Sequence, residues 1–542
     1  METDLKLTVD SVLAQAVSAF PDREAVVCGT ARVTYRELGE RVNALAVGLH
    51  KLGLKRGERV AVLLPNSLES VYAYFGIARA GGVLVATNPL YRRREIGHIL
   101  SDSEASAVIF APNVWGNDLL GMLQDLRKEL PCLRHLLAAG SSGPEGVIPL
   151  DSLLAAAAGQ ELPSQATLDD LFGLMYTSGT TGLPKAVMHT HRSMLAGYLL
   201  LLQPTPELLN SPIIAAMQQM RSALGGRQPV TLDPNPLYAT AGYATMQGTL
   251  QGGDKFVTLE RFTPAQTLEM TQREKINILF CTPSMYRLLL ESQDFDRYDK
   301  SSLFYCSVST APCPPALFEQ IRERFGCPVV NVYGTTEFSG VTITNPSDPD
   351  RLQTQTVGKG MPGAQIKIVD EQHHELPPGE VGELACKWDG MMKGYYKAPE
   401  LTAQVMDEEG WYYTGDLAVM DDQGYYKIVG RKKDMIIRGG QNIFPLEIEN
   451  FLLTHPGIKQ VAVVGVPSEL EGETVWAFVV PKEGEHLPPK EVLGFCQGQI
   501  APFKVPSVVR IVDELPITGT QKVQKFKLRD LAVQELEQRR RA

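Results

Sequence analysis

The first half of the chain alternates short apolar runs with helix-like segments, and this alternation limits the fold more than any other feature. ERVAVLL (58–64) and VLVATNP (83–89) are predicted to be buried strands. Between them, SLESVYAYFGIARAG (67–81) has a helical pattern that ends at a glycine. Strands that alternate with helices typically form parallel sheets covered by helices. We therefore predict an α/β fold with mainly parallel sheets for this part of the chain.

The pattern changes after about residue 355, where short strand-like runs are separated by Gly and Pro turns. Examples are VGKGMPGAQIKIVD (357–370) and YYKIVG (425–430). Such runs predict a smaller β-rich region, which we interpret as a small β-barrel that belongs to the large N-terminal domain.

A third pattern follows the charged stretch RKKD. The amphipathic segment FPLEIENFLLTH (444–455) and the strand-like TVWAFVVPK (474–482) predict a compact α+β domain, and residues 527–542 predict a charged helix. We place the domain boundary there, with an N-terminal domain at 1–432 and a smaller C-terminal domain at 433–542.

Composition excludes several classes of protein. The 542 residues carry a formal net charge of −10, which argues against a broad nucleic-acid surface. Eight scattered cysteines without a C-x-x-C pair are typical of free thiols in a reducing compartment. The polar start METDLKLTVD is unlike a secretory signal, and no apolar run reaches the roughly 18 residues that span a bilayer. We expect a cytoplasmic protein without a membrane span, either a monomer or a homodimer.

The segment YTSGTTGLPK (176–185) has the composition of a phosphate-binding loop. Small residues allow backbone N–H groups to approach phosphate oxygens, and hydroxyls add further donors. The P-loop pattern does not fit, because it requires Gly before the lysine and Ser or Thr after it, whereas Pro184 and Ala186 flank Lys185. Taken alone, the segment also fits a flexible Ser/Thr/Gly turn.

Three other segments carry groups that suit nucleotide chemistry. NVYGTTEFSG supplies Glu337, and a carboxylate beside a phosphate loop suits Mg²⁺. WYYTGDL supplies Asp416, whose two oxygens can accept hydrogen bonds from both hydroxyls of a ribose, and TGTQK places Lys522 on a predicted turn. Each segment alone also fits an ordinary turn or strand end.

Together with STAP (309–312), GELACKWDGMMKGYY and GRKKDMIIRGGQNIFPLEIE, these segments make the chain resemble the adenylate-forming superfamily. That superfamily contains acyl-CoA synthetases, adenylation domains of peptide synthetases and luciferases. The resemblance covers essentially the whole chain and is greatest to AMP-forming acyl-CoA or aryl-CoA ligases. It implies ATP, Mg²⁺ and coenzyme A as cofactors and a small carboxylic acid as substrate.

The resemblance also implies roles on the nucleotide side. Thr177 to Lys185 would grip the β- and γ-phosphates, Tyr333 would lie against the adenine, and Asp416 would hold the ribose with Arg431 nearby. The implied ATP- and CoA-binding residues are Thr177, Ser178, Gly179, Thr180, Thr181, Gly182, Lys185, Ser309, Thr310, Ala311, Pro312, Tyr333, Gly334, Thr335, Asp416, Arg431, Gly439 and Gly440.

The implied catalytic residues are Thr336, Glu337, Lys433 and Lys522. Thr336 would contact the α-phosphate, Glu337 would hold Mg²⁺, and Lys522 would bridge the acid and the α-phosphate. Lys433 occupies the hinge position of the family, which implies a mobile C-terminal domain. Gly439 and Gly440, which follow it, would face pantetheine. This agrees with physical expectation, because an anion that attacks a polyphosphate needs cations nearby, and glycine permits close approach of a thin ligand.

Two positions depart from the family pattern. Gln521 stands before Lys522 where relatives often have glycine, which does not change the expectation for the lysine. Ala239 stands where many relatives have histidine or a bulky aromatic residue, so we expect a wide acyl pocket. The predicted acyl-binding residues are Tyr238, Ala239, Thr240, Tyr243, Phe338 and Gly340, with Met246 nearby. No acidic residue is evident among them to pair with an α-amino group.

The sequence HTH at 189–191 has two possible ligands for a metal ion. Without further ligands, a metal site there is a weak hypothesis, and we expect His191 to be structural.

We therefore predict an AMP-forming carboxylate–CoA ligase, an acid–thiol ligase that acts on a medium-chain fatty, alicyclic or aromatic acid. The sequence does not fix the direction of the reaction, because a thioester plus AMP is chemically close to ATP plus acid. One alternative is a stand-alone adenylating enzyme that loads a separate carrier protein. The other is a nucleotide-binding protein without catalysis.

Overall fold

The computed structural model describes residues 7–177, 184–468, 470–517 and 523–541. The strands in these residues are β1 (Glu24–Cys28), β2 (Ala31–Thr34), β3 (Arg59–Leu63), β4 (Val83–Ala86), β5 (Ala107–Phe110), β6 (Asn113–Val114), β7 (Asn117–Asp118), β8 (His135–Ala138), β9 (Ile148–Pro149), β10 (Leu171–Thr177), β11 (Lys185–Thr190), β12 (Val230–Leu232), β13 (Lys255–Thr258), β14 (Ile278–Cys281), β15 (Tyr305–Val308), β16 (Val329–Thr335), β17 (Ser339–Ile343), β18 (Lys359–Gly360), β19 (Gln365–Val369), β20 (Val381–Lys387), β21 (Gly394–Tyr395), β22 (Tyr412–Met420), β23 (Tyr426–Arg431), β24 (Ile436–Arg438), β25 (Gln441–Ile443), β26 (Ile458–Ser468), β27 (Gly472–Pro481) and β28 (Val508–Ile511).

The α-helices in the same residues are α1 (Val9–Ala19), α2 (Tyr35–Lys51), α3 (Leu68–Arg79), α4 (Arg93–Ser103), α5 (Leu119–Glu129), α6 (Leu150–Ala157), α7 (His191–Met194), α8 (Ala196–Leu202), α9 (Pro206–Leu209), α10 (Pro212–Ala223), α11 (Thr240–Gln251), α12 (Pro264–Arg273), α13 (Pro283–Leu290), α14 (Pro315–Phe325), α15 (Asp350–Gln355), α16 (Pro399–Ala403), α17 (Pro445–Leu452), α18 (Pro489–Cys496) and α19 (Lys525–Arg541). Short 3₁₀ turns cover Phe295–Arg297, Lys432–Asp434 and Pro502–Lys504.

Two large sheets organise the N-terminal domain. The first has nine strands in the order β18-β17-β16-β15-β14-β12-β13-β1-β2, and the second has eight in the order β21-β11-β10-β4-β3-β5-β8-β9. The inner strands of both sheets are parallel, while β2, β17 and β18 in the first sheet and β11 and β21 in the second pair antiparallel. The predicted α/β class with mainly parallel sheets is confirmed.

Local sequence explains the unit β3–α3–β4 that was predicted at the outset. Ser67 ends the extended segment after β3 and caps α3, because its side chain accepts a hydrogen bond from the Ser70 N–H at 3.2 Å. Most of α3 is buried, including Tyr74 and Phe75, as expected for a helix with apolar residues all round. Its burial places α3 in the main core of the N-terminal domain.

The region after residue 355 takes the form of a four-stranded antiparallel sheet in the order β19-β20-β22-β23. Backbone hydrogen bonds from Val357 to Tyr426 (2.8 Å) and from Tyr426 to Gly358 (2.9 Å) join this sheet to the segment that leads into β18. The four-stranded sheet therefore lies beside the last strands of the nine-stranded sheet, and this position matters for the site described below.

The C-terminal region is the predicted α+β unit. Strands β24 to β28 form one sheet, in which β26 and β27 pair over their whole length and β28 adds a parallel strand. Helices α17 and α18 pack on one side and α19 on the other, so the predicted charged C-terminal helix is present. Among the helices of the described residues, none combines the length and apolar character that crossing a membrane requires.

Candidate active site

Tyr333 and Asp416 come from different sheets and meet at a hydrogen bond. The Tyr333 hydroxyl donates to Asp416 Oδ2 at 2.6 Å, and Arg431 Nε lies 2.7 Å from Asp416 Oδ1. Asp416 and Arg431 are cross-strand partners on β22 and β23. The carboxylate is only 3% exposed, and a buried charge requires partners of this kind. The structure thus brings together three residues that the sequence analysis assigned to the nucleotide.

The charges around this carboxylate determine the protonation of its partners. Burial, followed by the charge of Asp416, raises the pKa of the Tyr333 phenol well above its ordinary value, so this group stays a donor. Burial favours loss of the Arg431 proton, but the charge of Asp416 together with those of other nearby groups, including Asp434 and Glu337, outweighs burial and raises the pKa of the guanidinium. A cation is therefore held beside the carboxylate at neutral pH.

Backbone geometry explains why glycine follows Tyr333. The β16–β17 pairing shifts register between Tyr333 and Gly334, and a Cβ at Gly334 would lie 1.6 Å from the Ser339 carbonyl oxygen. Only glycine fits such a close backbone approach. The tight hairpin carries Thr336 and Glu337 at its tip, next to the end of β16.

Glu337 lies on this hairpin and is held by a residue that the sequence analysis did not single out. The Tyr395 hydroxyl donates to Glu337 Oε1 at 3.0 Å, and the Met392 N–H donates to the Glu337 carbonyl at 2.7 Å. Lys185 Nζ, at the start of β11, lies 5.9 Å from the centroid of the Tyr395 ring. Tyr395 therefore links the predicted metal ligand to the end of the phosphate-loop segment.

His189 forms a second link between the same two regions. Its Nε2 lies 2.7 Å from the Thr336 carbonyl oxygen and its Nδ1 lies 3.1 Å from Ser193 Oγ. A carbonyl oxygen only accepts, so Nε2 carries the hydrogen. Burial lowers the pKa of His189, which keeps the ring neutral. The signal for His189 in the sequence is the HTH motif at 189–191, whose two histidines here bond to protein groups.

The described residues contain no group of three or more His, Cys, Asp or Glu side chains that could hold a metal ion. His191 is fully buried, and its Nδ1 accepts a hydrogen bond from the Val9 N–H at 3.1 Å. This position in the core agrees with the structural role expected for His191.

Comparison with known proteins places this geometry in a family. The family model for AMP-binding enzymes matches residues 13–396, and the model for the C-terminal domain of AMP-binding enzymes matches residues 447–522. The chain belongs to the AMP-binding enzyme family.

Relatives of full length carry the same architecture. The medium-chain acyl-CoA ligase ACSF2, mitochondrial, of Mus musculus is 34% identical over 556 residues, covering 98% of this chain and 88% of that protein. The anthranilate CoA ligase AuaEII, solved with anthranoyl-AMP, superposes with a TM-score of 0.86 at 27% identity and 98% coverage of both chains. ATP-bound MatB from Rhodopseudomonas palustris gives a TM-score of 0.84 at 28% identity, covering 97% and 99%. These findings confirm the predicted superfamily, fold and enzyme class of acid–thiol ligase.

The predicted adenine-side loop of this AMP-binding enzyme follows β15. Ser309 to Pro312 leave the carboxyl end of β15, next to the end of the parallel strand β16 that carries Tyr333. The carboxyl ends of parallel strands are where α/β proteins usually bind ligands. Thr310 has a φ of 74°, and its Oγ1 lacks a hydrogen-bond partner among the described residues.

The predicted acyl-side residues are distributed over two environments. Tyr238 and Ala239 are partly exposed just before α11. Tyr243 is fully buried, with its ring centroid 5.5 Å from Tyr74 and 5.2 Å from Phe172. Their functional roles remain predictions.

The remaining acyl-side residues are more enclosed. Phe338 is also fully buried, 5.7 Å from the ring centroids of Tyr333 and Tyr412. Thr240 and Met246 are buried as well, and a Cβ at Gly340 would approach the Met361 methyl group at 3.0 Å. These contacts give Phe338 a supporting position beside Tyr333, and the acyl role of this set remains a prediction.

Several predicted residues lie at the domain boundary or outside the described residues. Lys433 lies in the 3₁₀ turn after β23, and burial lowers its pKa. Gly439 and Gly440 form the turn between β24 and β25 with φ values of 56° and 78°, which favour glycine. Ser178, Gly179, Thr180, Thr181, Gly182 and Lys522 lie outside the described residues.

Proposed function

We propose that this AMP-binding enzyme is an AMP-forming carboxylate–CoA ligase that activates an apolar acid. The observation that carries the proposal is the pairing of Tyr333, Asp416 and Arg431 beside the hairpin of Thr336 and Glu337. This arrangement brings together an acceptor suited to ribose hydroxyls, a cation and a carboxylate suited to a metal ion. The names of the full-length relatives, acyl-CoA and anthranilate CoA ligases, support the same class of reaction.

In the first step, an oxygen of the substrate carboxylate attacks the α-phosphorus of ATP. The bond between that phosphorus and the bridging oxygen breaks, and pyrophosphate leaves with the electron pair. Both reactants are anions, so preorganised cations are needed where charge develops. Lys185 and Arg431 belong to the described part of the site, and Lys522 is the proposed cation between the carboxylate and the α-phosphate.

The residues present suit a magnesium ion that is held mainly by the nucleotide. Mg²⁺ is usually bound by one or two carboxylates together with substrate phosphates and water. Glu337 is partly exposed, and the Tyr395 hydroxyl orients its Oε1. When bound, the ion would neutralise phosphate charge, and Glu337 would hold it while Tyr395 fixes the carboxylate.

The acyl chain is proposed to run along α11. One face of this helix is accessible: Ala241, Ala244 and Thr245 are partly exposed, and Gly248 is exposed. Tyr243 on the other face is fully buried. A Cβ at Gly248 would meet no atom within 4 Å. These small residues succeed Ala239 along the helix and leave room for a chain or ring.

The sheet opposite α11 supports this path. Phe280 belongs to β14, a central strand of the nine-stranded sheet, yet it is partly exposed. Its neighbours Leu279 and Cys281 point to the opposite face and pack in a separate core cluster. A partly exposed aromatic residue in the middle of a large sheet indicates open space beside it, which suits an apolar acid larger than acetate.

In the second step, the thiol of coenzyme A loses its proton and the sulfur attacks the acyl carbonyl carbon. The bond from that carbon to the phosphate oxygen of AMP breaks, which releases AMP and the thioester. The turn at Gly439 and Gly440 is proposed to lie along pantetheine, because it presents backbone without side chains. The thioester, AMP and pyrophosphate retain most of the chemical potential, so we propose that the reaction runs in both directions.

AMP release tests the proposal. Octanoate, cyclohexanecarboxylate, benzoate and acetate would be assayed with ATP and Mg²⁺, with and without coenzyme A. We expect AMP release that requires coenzyme A and is greater for the three larger acids. If acyl-AMP forms but coenzyme A does not stimulate AMP release, the protein would instead be a carrier-loading enzyme. If ATP binds but neither acyl-AMP nor AMP forms with any acid of a broad panel, the protein would be non-catalytic.

A further inference from the structure

A buried polar cluster, which the proposed chemistry does not use, lies under the segment that carries Tyr238 and Ala239. The cluster consists of Asn66, Asp233, Asn235 and Thr258, and we call it the Asn66 clamp. Its members are 5%, 1%, 4% and 0% exposed, respectively. Buried polar groups are costly unless their hydrogen bonds are formed, so the arrangement of this cluster strongly constrains the backbone around it.

Asn66 uses both ends of its amide. Its Nδ2 donates to the Asn235 carbonyl at 2.9 Å and to Thr258 Oγ1 at 3.0 Å, and its Oδ1 accepts from the Leu237 N–H at 2.8 Å. One side chain therefore holds two backbone groups of the segment 233–239, two residues apart, and the next two residues are Tyr238 and Ala239.

Asp233 fixes the beginning of the same segment. Its Oδ1 accepts from the Asn235 N–H at 2.8 Å and from Asn235 Nδ2 at 2.7 Å, while its carbonyl accepts from the Thr258 hydroxyl at 2.8 Å. Helix α11 closes the other side, because a Cβ at Gly242 would lie 2.5 Å from the Pro236 carbonyl oxygen. The segment is thus held at nearly every residue before Tyr238.

The clamp joins the two large sheets. Asn66 follows β3, which is two strands away from β10 in the eight-stranded sheet, and β10 ends at Thr177 where the phosphate-loop segment begins. Asp233 directly follows β12, and Thr258 ends β13, both of the nine-stranded sheet. The position of the acyl-side segment relative to the phosphate-loop sheet therefore depends on the bonds that Asn66 makes.

We propose that Asn66 is a positioning residue for the acid: it sets where Tyr238 and Ala239 stand relative to the phosphate-loop sheet. The inference rests on the proposed function, because the acid must reach the α-phosphorus in a reactive geometry. A displacement of about 1 Å can cost roughly 10²-fold in rate. Loss of Asn66 should therefore impair use of the acid, while ATP, held by other elements, should bind as before.

Two variants and a matched control test this role. Asn66→Ala removes all three hydrogen bonds, whereas Asn66→Asp keeps the acceptor for Leu237 and removes the donors. Asn277 serves as control because it is 6% exposed and also bonds backbone groups, with Oδ1 accepting from Val230 at 2.9 Å and Nδ2 donating to Ser302 at 3.1 Å. It contacts the opposite end of β12.

We expect Asn66→Ala to lower kcat/KM for the acid about 10–100-fold, with the KM for ATP changed less than about threefold and Asn66→Asp in between. Asn277→Ala should lower the Tm of the protein without lowering kcat/KM for the acid selectively over the KM for ATP. Equal changes in the acid and ATP parameters, or the same pattern in Asn277→Ala, would overturn the proposal.

Hydrogen exchange gives a readout that does not depend on activity. Amides in 233–243 should exchange about tenfold faster in Asn66→Ala than in wild type, since hydrogen bonds in this segment are lost, and those of β16 should not change. Unchanged exchange in 233–243 would refute the positioning role. If wild type releases no AMP with any acid, the proposed function fails, whereas the exchange result still decides whether Asn66 holds the segment.

Discussion

The predicted nucleotide side of the N-terminal domain and the C-terminal face with Ile517, Val523, Phe526 and Leu531 differ in the partners of their side chains. Asp416 has Tyr333 and Arg431 as partners, and Glu337 has Tyr395. Each of these contacts joins residues within 1–432, the predicted N-terminal domain. The predicted nucleotide side is therefore held together by contacts within one domain.

The C-terminal face instead presents apolar side chains. Ile517 and Val523, which form an isolated antiparallel bridge on either side of residues 518–522, are 45% and 37% exposed, and Phe526 and Leu531 on α19 are 50% and 55% exposed. Exposed apolar groups in close succession are typical of surfaces that contact another domain. We propose that the site consists of a preformed half in the N-terminal domain and a docking half in the C-terminal domain, which carries Lys522.

Removing the lysine of the docking half should have the largest effect. Lys522→Ala removes the proposed cation between the carboxylate and the α-phosphate, and loss of one such preorganised donor costs about 10²–10³ in rate. We expect slow acyl-AMP formation but near-normal conversion of supplied acyl-AMP and coenzyme A to thioester. Lys527→Ala, at an exposed position of α19, is the matched control. Unimpaired adenylation in Lys522→Ala would refute the catalytic role.

Restricting the connection between the two halves should separate the two steps. Lys433→Pro fixes φ at this residue at about −65°, whereas a hinge residue must change its backbone dihedral angles when the domain moves. We expect acyl-AMP to form normally and thioester formation to fall about 10²-fold, as for a misplaced catalytic geometry. Lys433→Ala removes the charge but leaves the backbone free, and should affect both steps little. Equal losses in the two half-reactions of Lys433→Pro would contradict the hinge role.

Weakening the preformed half should reduce ATP use. Asp416→Asn removes the charge that pairs with Arg431, and a hydrogen bond to a charged group contributes about 1.5–3 kcal/mol, which is roughly 10–100-fold in kcat/KM for ATP. Asp421→Asn is the control, because Asp421 lies at the far end of β22, where its Oδ1 accepts backbone hydrogen bonds from Gln423 and Tyr425. Isothermal titration with ATP would show whether binding itself is lost.

Much of the preformed half could be predicted because its residues occur in recognisable segments. Tyr333, Glu337 and Asp416 lie in segments that identify the family, and the strand–helix–strand unit at 58–89 follows from apolar runs and a helical pattern that ends at a glycine. The contacts between these residues could not be predicted from spacing. Tyr333 and Asp416 are 83 residues apart in the chain, and His189 and Thr336 are 147 apart.

On the acyl side, sequence patterns do not show which residues line open space. Helix α11 lies between packed layers, so apolar and small residues occur on all its faces and the periodicity does not indicate which face lines open space. Tyr243, which is predicted to contact the acid, packs in the core, whereas Ala241 and Thr245 are partly exposed; its acyl role stays a prediction. Similarly, HRSMLAGYLLLL predicts one helix, whereas the structure has α7 and α8 with a break at Leu195.

A larger side chain at position 239 tests whether the proposed acyl pocket is wide. Ala239→Trp places a large ring before α11, where Ala239 is proposed to leave room for the acid. We expect kcat/KM for octanoate and benzoate to fall about tenfold more than for acetate, since a pocket contact discriminates by about 1–3 kcal/mol. Ala239→Ser, which adds one atom, should leave the ranking of acids unchanged. Equal losses across the acids would remove Ala239 from the acyl pocket.

The smallest expected effect is on the pH dependence of stability, and it concerns Asp254, which pairs with Arg221 at a distance from the proposed site. Asp254 Oδ2 lies 3.0 Å from Arg221, yet burial outweighs this partner and raises the pKa of Asp254 from 3.8 to about 6. The charged and titratable groups that face it are Arg221, Arg23, Tyr35 and Tyr305. Because the folded-state pKa is the higher one, the folded protein binds this proton more tightly than the unfolded chain.

The contribution of Asp254 to stability is therefore greatest below about pH 4 and is lost as the pH rises towards about 6. In Asp254→Asn the group cannot ionise, so the difference in Tm between variant and wild type should shift in favour of the variant from pH 4.5 to pH 7.5. We expect a shift on the order of a few degrees, measured by thermal denaturation at both pH values. A shift in favour of wild type would mean that attraction to Arg221 exceeds the cost of burial, and that pairing rather than desolvation governs this charge.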